Sequence, residues 1–135
     1  MSNEEARQIR FEGGHVHGKQ AEYVMLEQVL LHGSYLIESH LYAPRFTDIR
    51  LTACSLANTV LEKLIAHRCE LSDCQLVGLN AVESHFANVH FRDCDLQLSG
   101  FRFCSFKSVI FERCNLQRAN FQAADLTGVR FIKCD

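Results

Sequence analysis

The chain has 135 residues, within the range of one domain, and its 14 Lys and Arg against 16 Asp and Glu leave a formal charge of −2. That balance points to no partner class: there is neither the basic excess of a nucleic-acid binder nor a strongly acidic surface. No apolar run approaches the roughly 18 residues of a membrane span, and residues 1–10 lack the apolar core of a secretory signal.

In chain order, Met1 to Arg10 is mostly polar and reads as a lead-in or cap. A period of five begins at Phe11 and runs to Phe131 without a slip. Its 25 positions hold 12 Leu, nine Phe, three Ala and one Val, and none is polar. The residue two before each is mostly small, and all seven Cys (Cys54, Cys69, Cys74, Cys94, Cys104, Cys114, Cys134) occupy such positions. A helix repeats every 3.6 residues and a strand every two. Five is made from three residues of strand and two of turn, with the small and the large residue pointing inward together. The second residue after each large one should therefore sit at a corner. In ten units it is Gly13, Gly18, Gly33, Asp48, Asn58, Asp73, Gly78, Asn88, Asp93 or Gly128, the residue types that accept positive φ.

Residues 11–23 keep the large position but put Gly14 and Lys19 in the small one, so this part is expected to be an irregular first coil or a cap. His15 and His17 flank an inward Val16 and read as a surface pair without a third ligand. Residues 24–80 are looser. Leu64 with Ala66 and Leu79 with Ala81 exchange large for small, which conserves interior volume. Ile49 beside Leu51 lacks that exchange and predicts a local bulge, and Pro44 predicts a lost ladder bond or a bend. Residues 81–135 are the most regular. With 20 residues per coil, Phe91, Phe111 and Phe131 share one column, Phe101 stacks on Phe121, and Phe86 on Phe106.

Ala119-Asn120-Phe121 and Ala124-Asp125-Leu126 carry the signature small residue, Asp or Asn, then Leu or Phe; Cys94-Asp95-Leu96 and Cys114-Asn115-Leu116 carry it with Cys in the small place. In these motifs the chain resembles the pentapeptide-repeat family, well over residues 24–135 and weakly over 11–23. The resemblance implies an all-β fold, a right-handed quadrilateral β-helix of about six coils, 20 residues each. The domain organisation is then a lead-in over 1–10 and a single repeat domain over 11–135.

Cys in the small inward position acts as a small hydrophobe. An odd number of Cys leaves one unpaired in any disulfide scheme. Cys69 and Cys74 have a zinc-like gap but would lie on adjacent faces of a filled core. Reduced thiols suggest the cytoplasm. No two of the seven His are 20 apart, no spacing groups a Ser or Asp with a His, and no phosphate-loop or nucleophile motif occurs. The reading is thus no enzyme, no cofactor, no metal, no nucleic acid and no membrane.

Outward apolar residues are more suggestive. Ile37, Val77 and Leu98 fall at nearly one place in different coils, and Tyr23, Tyr42, Val82 and Phe103 fall on the adjoining face. They form a candidate protein-binding strip. The first functional reading is a non-enzymatic protein–protein interaction module with an unknown protein partner, or a homodimer through coil-end stacking or this strip. The alternative, implied by the best-understood part of the family, is a DNA-mimicking topoisomerase (gyrase)-binding protein giving quinolone tolerance. Against it stand the balanced charge and an uninterrupted register. Cys134-Asp135 reads as the start of a further repeat, which leaves open end-to-end stacking or a segment of a longer protein or secreted effector.

Overall fold

A computed structural model describes the backbone at residues 5–7, 10–12 and 15–135, and side chains from residue 16 onward. Among the described residues every regular element is a strand. They are β1 (Glu5–Arg7), β2 (Arg10–Glu12), β3 (His15–His17), β4 (Gln20–Glu22), β5 (Met25–His32), β6 (Tyr35–Ile37), β7 (His40–Tyr42), β8 (Arg45–Thr52), β9 (Val60–Glu62), β10 (Ile65–Ser72), β11 (His85–Arg92), β12 (Ser105–Glu112) and β13 (Val129–Ile132). All pairings are parallel and offset by 20 residues, for example Phe86 opposite Phe106 and Phe91 opposite Phe111. The molecule is a right-handed β-solenoid of about six coils with four faces. Two faces are joined by the long strands β5, β8, β10, β11 and β12. The third is β3–β6 continued by single bridges from Tyr35↔Ser55 to Asp95↔Asn115, and the fourth is β4–β7–β9 continued by Val60↔Asn80, Asn80↔Gly100 and Gly100↔Asn120.

The corners form as the period requires. From Gly18 to Lys133 every second residue after a large one, Gly128 excepted, has φ between 51° and 72°. These include the expected Asp48, Asn58, Asp73, Asn88 and Asp93, but also Tyr23, Lys63, Leu98 and Phe103. A side chain with a Cβ in this region costs about 1–2 kcal/mol. The corner amides offset that cost through ladder bonds to the next coil, as in Gly78 N–H to the Gln97 carbonyl (2.9 Å) and Phe103 N–H to that of Gln122 (3.0 Å). Gly128 differs from the expectation. Its φ is not positive, and its role is close approach: a Cβ there would stand 2.6 Å from the Phe106 carbonyl oxygen. Gly13 lies outside the described residues.

The interior is filled. Phe91, Phe101 and Phe111 are fully buried. The rings stack in the expected columns: Phe91 on Phe111 at 4.7 Å, Phe111 on Phe131 at 5.4 Å, Phe86 on Phe106 at 5.3 Å and Phe101 on Phe121 at 5.2 Å. Across columns they meet edge to face, as Phe101 and Phe111 do at 73° and 5.9 Å. Such pairs contribute about 0.5–1.5 kcal/mol beyond area burial. Buried hydroxyls replace small apolar groups without penalty because each finds a carbonyl: Thr59 Oγ1 donates to Leu36 O (2.6 Å), Ser84 Oγ to Leu61 O (3.0 Å) and Ser99 Oγ to Leu96 O (2.7 Å).

Three local expectations are corrected. Ile49 makes no bulge: it is buried between Val29 and Cys69 in unbroken register. The exchange of Leu64 and Leu79 for Ala66 and Ala81 leaves a small apolar cavity nearby, of about 30 Å³. Pro44 removes no ladder bond. One coil on, the matching amide of Leu64 donates to the Ser84 hydroxyl rather than to backbone, so this column has a spare N–H that Pro can omit. The bonds on either side of Pro44 persist, Ala43 N–H to Glu62 O at 2.7 Å and Arg45 N–H to Val24 O at 2.8 Å. At the N-terminus the described parts of the first coil are in register, Val16 opposite Leu36 and Ala21 opposite Leu41. Within the expected lead-in, Glu5–Arg7 already pairs with Met25–Glu27. Lys19 does not enter the core; it is exposed, and its amide donates to Ser39 Oγ.

Candidate interaction surface

The seven strip residues take their places from the 20-residue coil. The fourth face carries Gln20, His40, Val60, Asn80, Gly100 and Asn120 along its midline. Ile37, Val77 and Leu98 line the corner before it, and Tyr23, Tyr42, Val82 and Phe103 the corner after it. The strip is therefore two apolar edges flanking one face, not a single edge. At Gly100 the midline carries no side chain.

The edges are uneven. Ile37, Tyr42, Val77 and Val82 are half-buried, Tyr23 is 42% exposed, Phe103 51% and Leu98 57%. Polar neighbours cover the N-terminal part. Lys63 Nζ bonds the Tyr42 hydroxyl at 3.2 Å and lies 5.5 Å from its ring centre, while Tyr23 packs edge-on against Tyr42. His40 pairs with Glu62 at 3.2 Å across the same face. Leu98 and Phe103 are the most exposed members, and both stand at φ 59°. The Arg102 guanidinium lies 5.4 Å from the Phe103 ring centre. An open depression of about 410 Å³ borders Phe103, with Glu83 and His85.

Elsewhere the surface charges neutralise each other between coils. Arg68 binds Asp48 through two nitrogens (2.6 and 3.1 Å) and Arg113 binds Asp93 likewise (2.8 and 3.1 Å). The arginines hold both carboxyls below the usual Asp range, first through these hydrogen bonds. His90 bonds Glu112 at 2.9 Å and lowers its carboxyl, with Arg113 and Arg92 adding to the effect. The His–Glu pairs are 21 or 22 residues apart, diagonal across coils.

Two arrangements escaped the sequence reading. Ser105 lies one coil above His85, and its hydroxyl meets His85 Nδ1; a His–Ser spacing of 20 was the signal. The pair has the groups of a nucleophile and base, but the local amides are already committed, Ser105 N–H to Ser84 O and Asp125 N–H to Cys104 O. They offer no oxyanion donors. The second is a column of five thiols, Cys54, Cys74, Cys94, Cys114 and Cys134, one per coil. Each thiol donates to the carbonyl 23 residues earlier, as Cys94 Sγ does to Leu71 O at 3.3 Å and Cys134 Sγ to Phe111 O at 3.1 Å. The two thiols outside the column, Cys69 and Cys104, are pushed up to about 11 by burial.

A parallel, four-faced solenoid with a filled core and αL corners every five residues defines a class of repeat protein. Residues 44–121 match the family model described as Pentapeptide repeat region, and the chain belongs to that family. No curated protein is similar enough to count as a match. Among solved structures the chain is similar to a pentapeptide repeat protein, Rfr23, from the cyanobacterium Cyanothece 51142, at 17% identity over 95% of this chain and 90% of that one (TM-score 0.42). It is also similar to QnrB1, a plasmid-mediated fluoroquinolone resistance protein, at 12% identity over 94% and 81% (TM-score 0.30). A third is HetL of Nostoc sp. strain PCC 7120, involved in heterocyst differentiation regulation, at 13% identity over 92% and 87% (TM-score 0.27). Among the described residues no helix is long and apolar enough to cross a membrane.

Proposed function

We propose that this chain is a non-enzymatic interaction module that binds a protein partner through the fourth face, with Leu98 and Phe103 as its anchors. One observation carries the reading. Two bulky apolar side chains, 57% and 51% exposed, occupy positive-φ corners on either side of Gly100. The φ is common to nearly every corner; what sets these two apart is the large apolar area each leaves in water, which marks interaction surfaces. Rigid apolar anchors beside a flat strand are what a partner's side chains bury.

The test is capture of the native partner by immobilised protein, cross-linked in cells of origin. Leu98→Asn with Phe103→Asn should keep the fold, since Asn accepts αL, and should abolish capture. Capture undiminished by the double variant rejects the assignment. Self-association is a second form of the same reading. The last described coil leaves Phe131 47% and Leu126 39% exposed, and a second copy stacked there would extend the Phe columns. Sedimentation of the protein and of Phe131→Ser distinguishes it from strip-mediated pairing, which the Asn variants would weaken instead.

The DNA-imitating reading would draw on an acidic stripe. Here Arg68 and Arg113 cover Asp48 and Asp93 within their own columns. A gyrase supercoiling assay with and without a quinolone tests it, and no change in either arm removes it. Buried, unpaired thiols support a reducing compartment such as the cytoplasm.

A further inference from the structure

The column of Cys54, Cys74, Cys94, Cys114 and Cys134 brings to one inner edge of the solenoid more soft donor atoms than packing needs. Ser, Thr, Val and Ala fill the corresponding small inward position on the other faces, and Ser34 fills it in this column. Rungs of a parallel sheet repeat at about 4.8 Å. The thiols of the column therefore stand one rung apart, each donating to a carbonyl 23 residues earlier, as Cys74 Sγ does to Leu51 O at 3.6 Å and Cys114 Sγ to Phe91 O at 3.4 Å. Among the described residues no three His, Cys, Asp or Glu converge on one point, so a tetrahedral zinc site is not what the column offers. It offers successive pairs of sulfurs on a line.

We infer that the column binds a soft monovalent d10 cation, Cu(I) or Ag(I), between successive thiols. Soft sulfur donors select such ions over Zn(II) at a site with only two ligands. A metal–thiolate bond is about 2.3 Å, as for zinc, and two in line span about 4.6 Å, close to the rung spacing. Binding breaks one S–H bond, forms one bond from each of two sulfurs to the ion, and sends one proton to solvent. The thiolate and the cation cancel, so no net charge enters the apolar core. A second feature supports cation delivery. An open groove of about 540 Å³ runs over this column, lined by Cys94 and Cys114 and by Asp73, Asp93, Asp95 and Asp135 against Arg113 and Lys133. Cys134, the last thiol of the column, is only partly buried.

The test is anaerobic titration of the reduced full chain with Cu(I) against a chromophoric Cu(I) chelator, followed by far-ultraviolet circular dichroism and thermal melting. Pairing of rungs predicts roughly two ions per chain, released by acid and not displaced by Zn(II). Cys74→Ser leaves one run of three adjacent thiols and should bind roughly one ion. Cys74→Ser with Cys114→Ser leaves three isolated thiols and should bind none. Cys69→Ser with Cys104→Ser removes as many thiols off the column and should bind like the native protein. Ser is tolerated at this position at Ser84 and Ser99, both buried, and unchanged circular dichroism will verify folding. The melting temperature of the native chain should rise on binding. Equal loss in the two double variants, binding only with loss of strand signal, or no binding in competition with the chelator overturns the proposal.

Discussion

Replacing Phe111 by Ala should be among the most damaging single changes, and its cost can be set against that of its neighbour in the same column. Phe111 is fully buried, with Phe91 stacked 4.7 Å below, Phe131 5.4 Å above and Phe101 edge-on at 5.9 Å. Removing a buried Phe costs about 3–5 kcal/mol, transfer and cavity together. The cavity should stay open, because ladders on both sides hold the coils at fixed spacing. A value near the upper end, about 5 kcal/mol, is expected. Phe131 is 47% exposed and contacts rings on one side only. Its truncation gives up about half the burial and opens a void to solvent, so about 1–2 kcal/mol is expected. Phe111→Leu keeps most of the volume and should cost roughly 1–1.5 kcal/mol. Equilibrium unfolding in urea measures all three, with the m-value checking that the transition is still cooperative. Equal losses for Phe111→Ala and Phe131→Ala would refute the idea that the stacked interior carries the stability.

Leu98→Asn and Phe103→Asn should each raise stability by about 0.5–1 kcal/mol in urea melts, because Asn accepts their φ of 59° at less strain; a loss at both positions would contradict the corner account. Gly128→Ala should cost about 2 kcal/mol or more, since its Cβ would meet the Phe106 carbonyl at 2.6 Å and backbone cannot give way cheaply. Gly78→Ala should also destabilise, through φ +72° and contact with the Asn58 side chain, but less, because that side chain can rotate away. On acidification, the depressed Asp93 carboxyl contributes stability that is complete above its unfolded value of 3.8 and is lost as pH falls through its lower folded value. Asp93→Asn should therefore flatten the stability profile below pH 4, and an identical profile in the variant would show that the Arg113 pair contributes nothing.

The period of five made the architecture legible because coil geometry repeats without insertion, so one spacing placed every large residue and every Phe column. It also placed the corners, since Gly, Asn and Asp marked enough of them to set the phase for Leu98 and Phe103, whose types alone suggest no αL residue. Pro44 misled because the rule that proline breaks ladders ignores which column has a spare amide. Gly128 misled because glycine serves close approach as well as positive φ, and only coordinates separate the two. The thiol column and the His85–Ser105 contact were both present as differences of 20. Cys reads first by its place within the five-residue unit, and the expectation that no spacing groups a Ser with a His is corrected by His85 and Ser105, one coil apart. The half-burial of Tyr42 and Val82 was not legible, since it depends on how Lys63 and other long side chains fold over the face.

The most direct measurement of the filled interior is the rate at which thiols in the native, reduced and metal-free protein react with a chromogenic disulfide reagent. Six thiols are buried and Cys134 is partly so. One should react within the time of a free thiol, and six only as fast as the solenoid opens, merging into a single fast phase in denaturant. Fast reaction of most of the seven without denaturant would contradict the structure of the core and everything built on it.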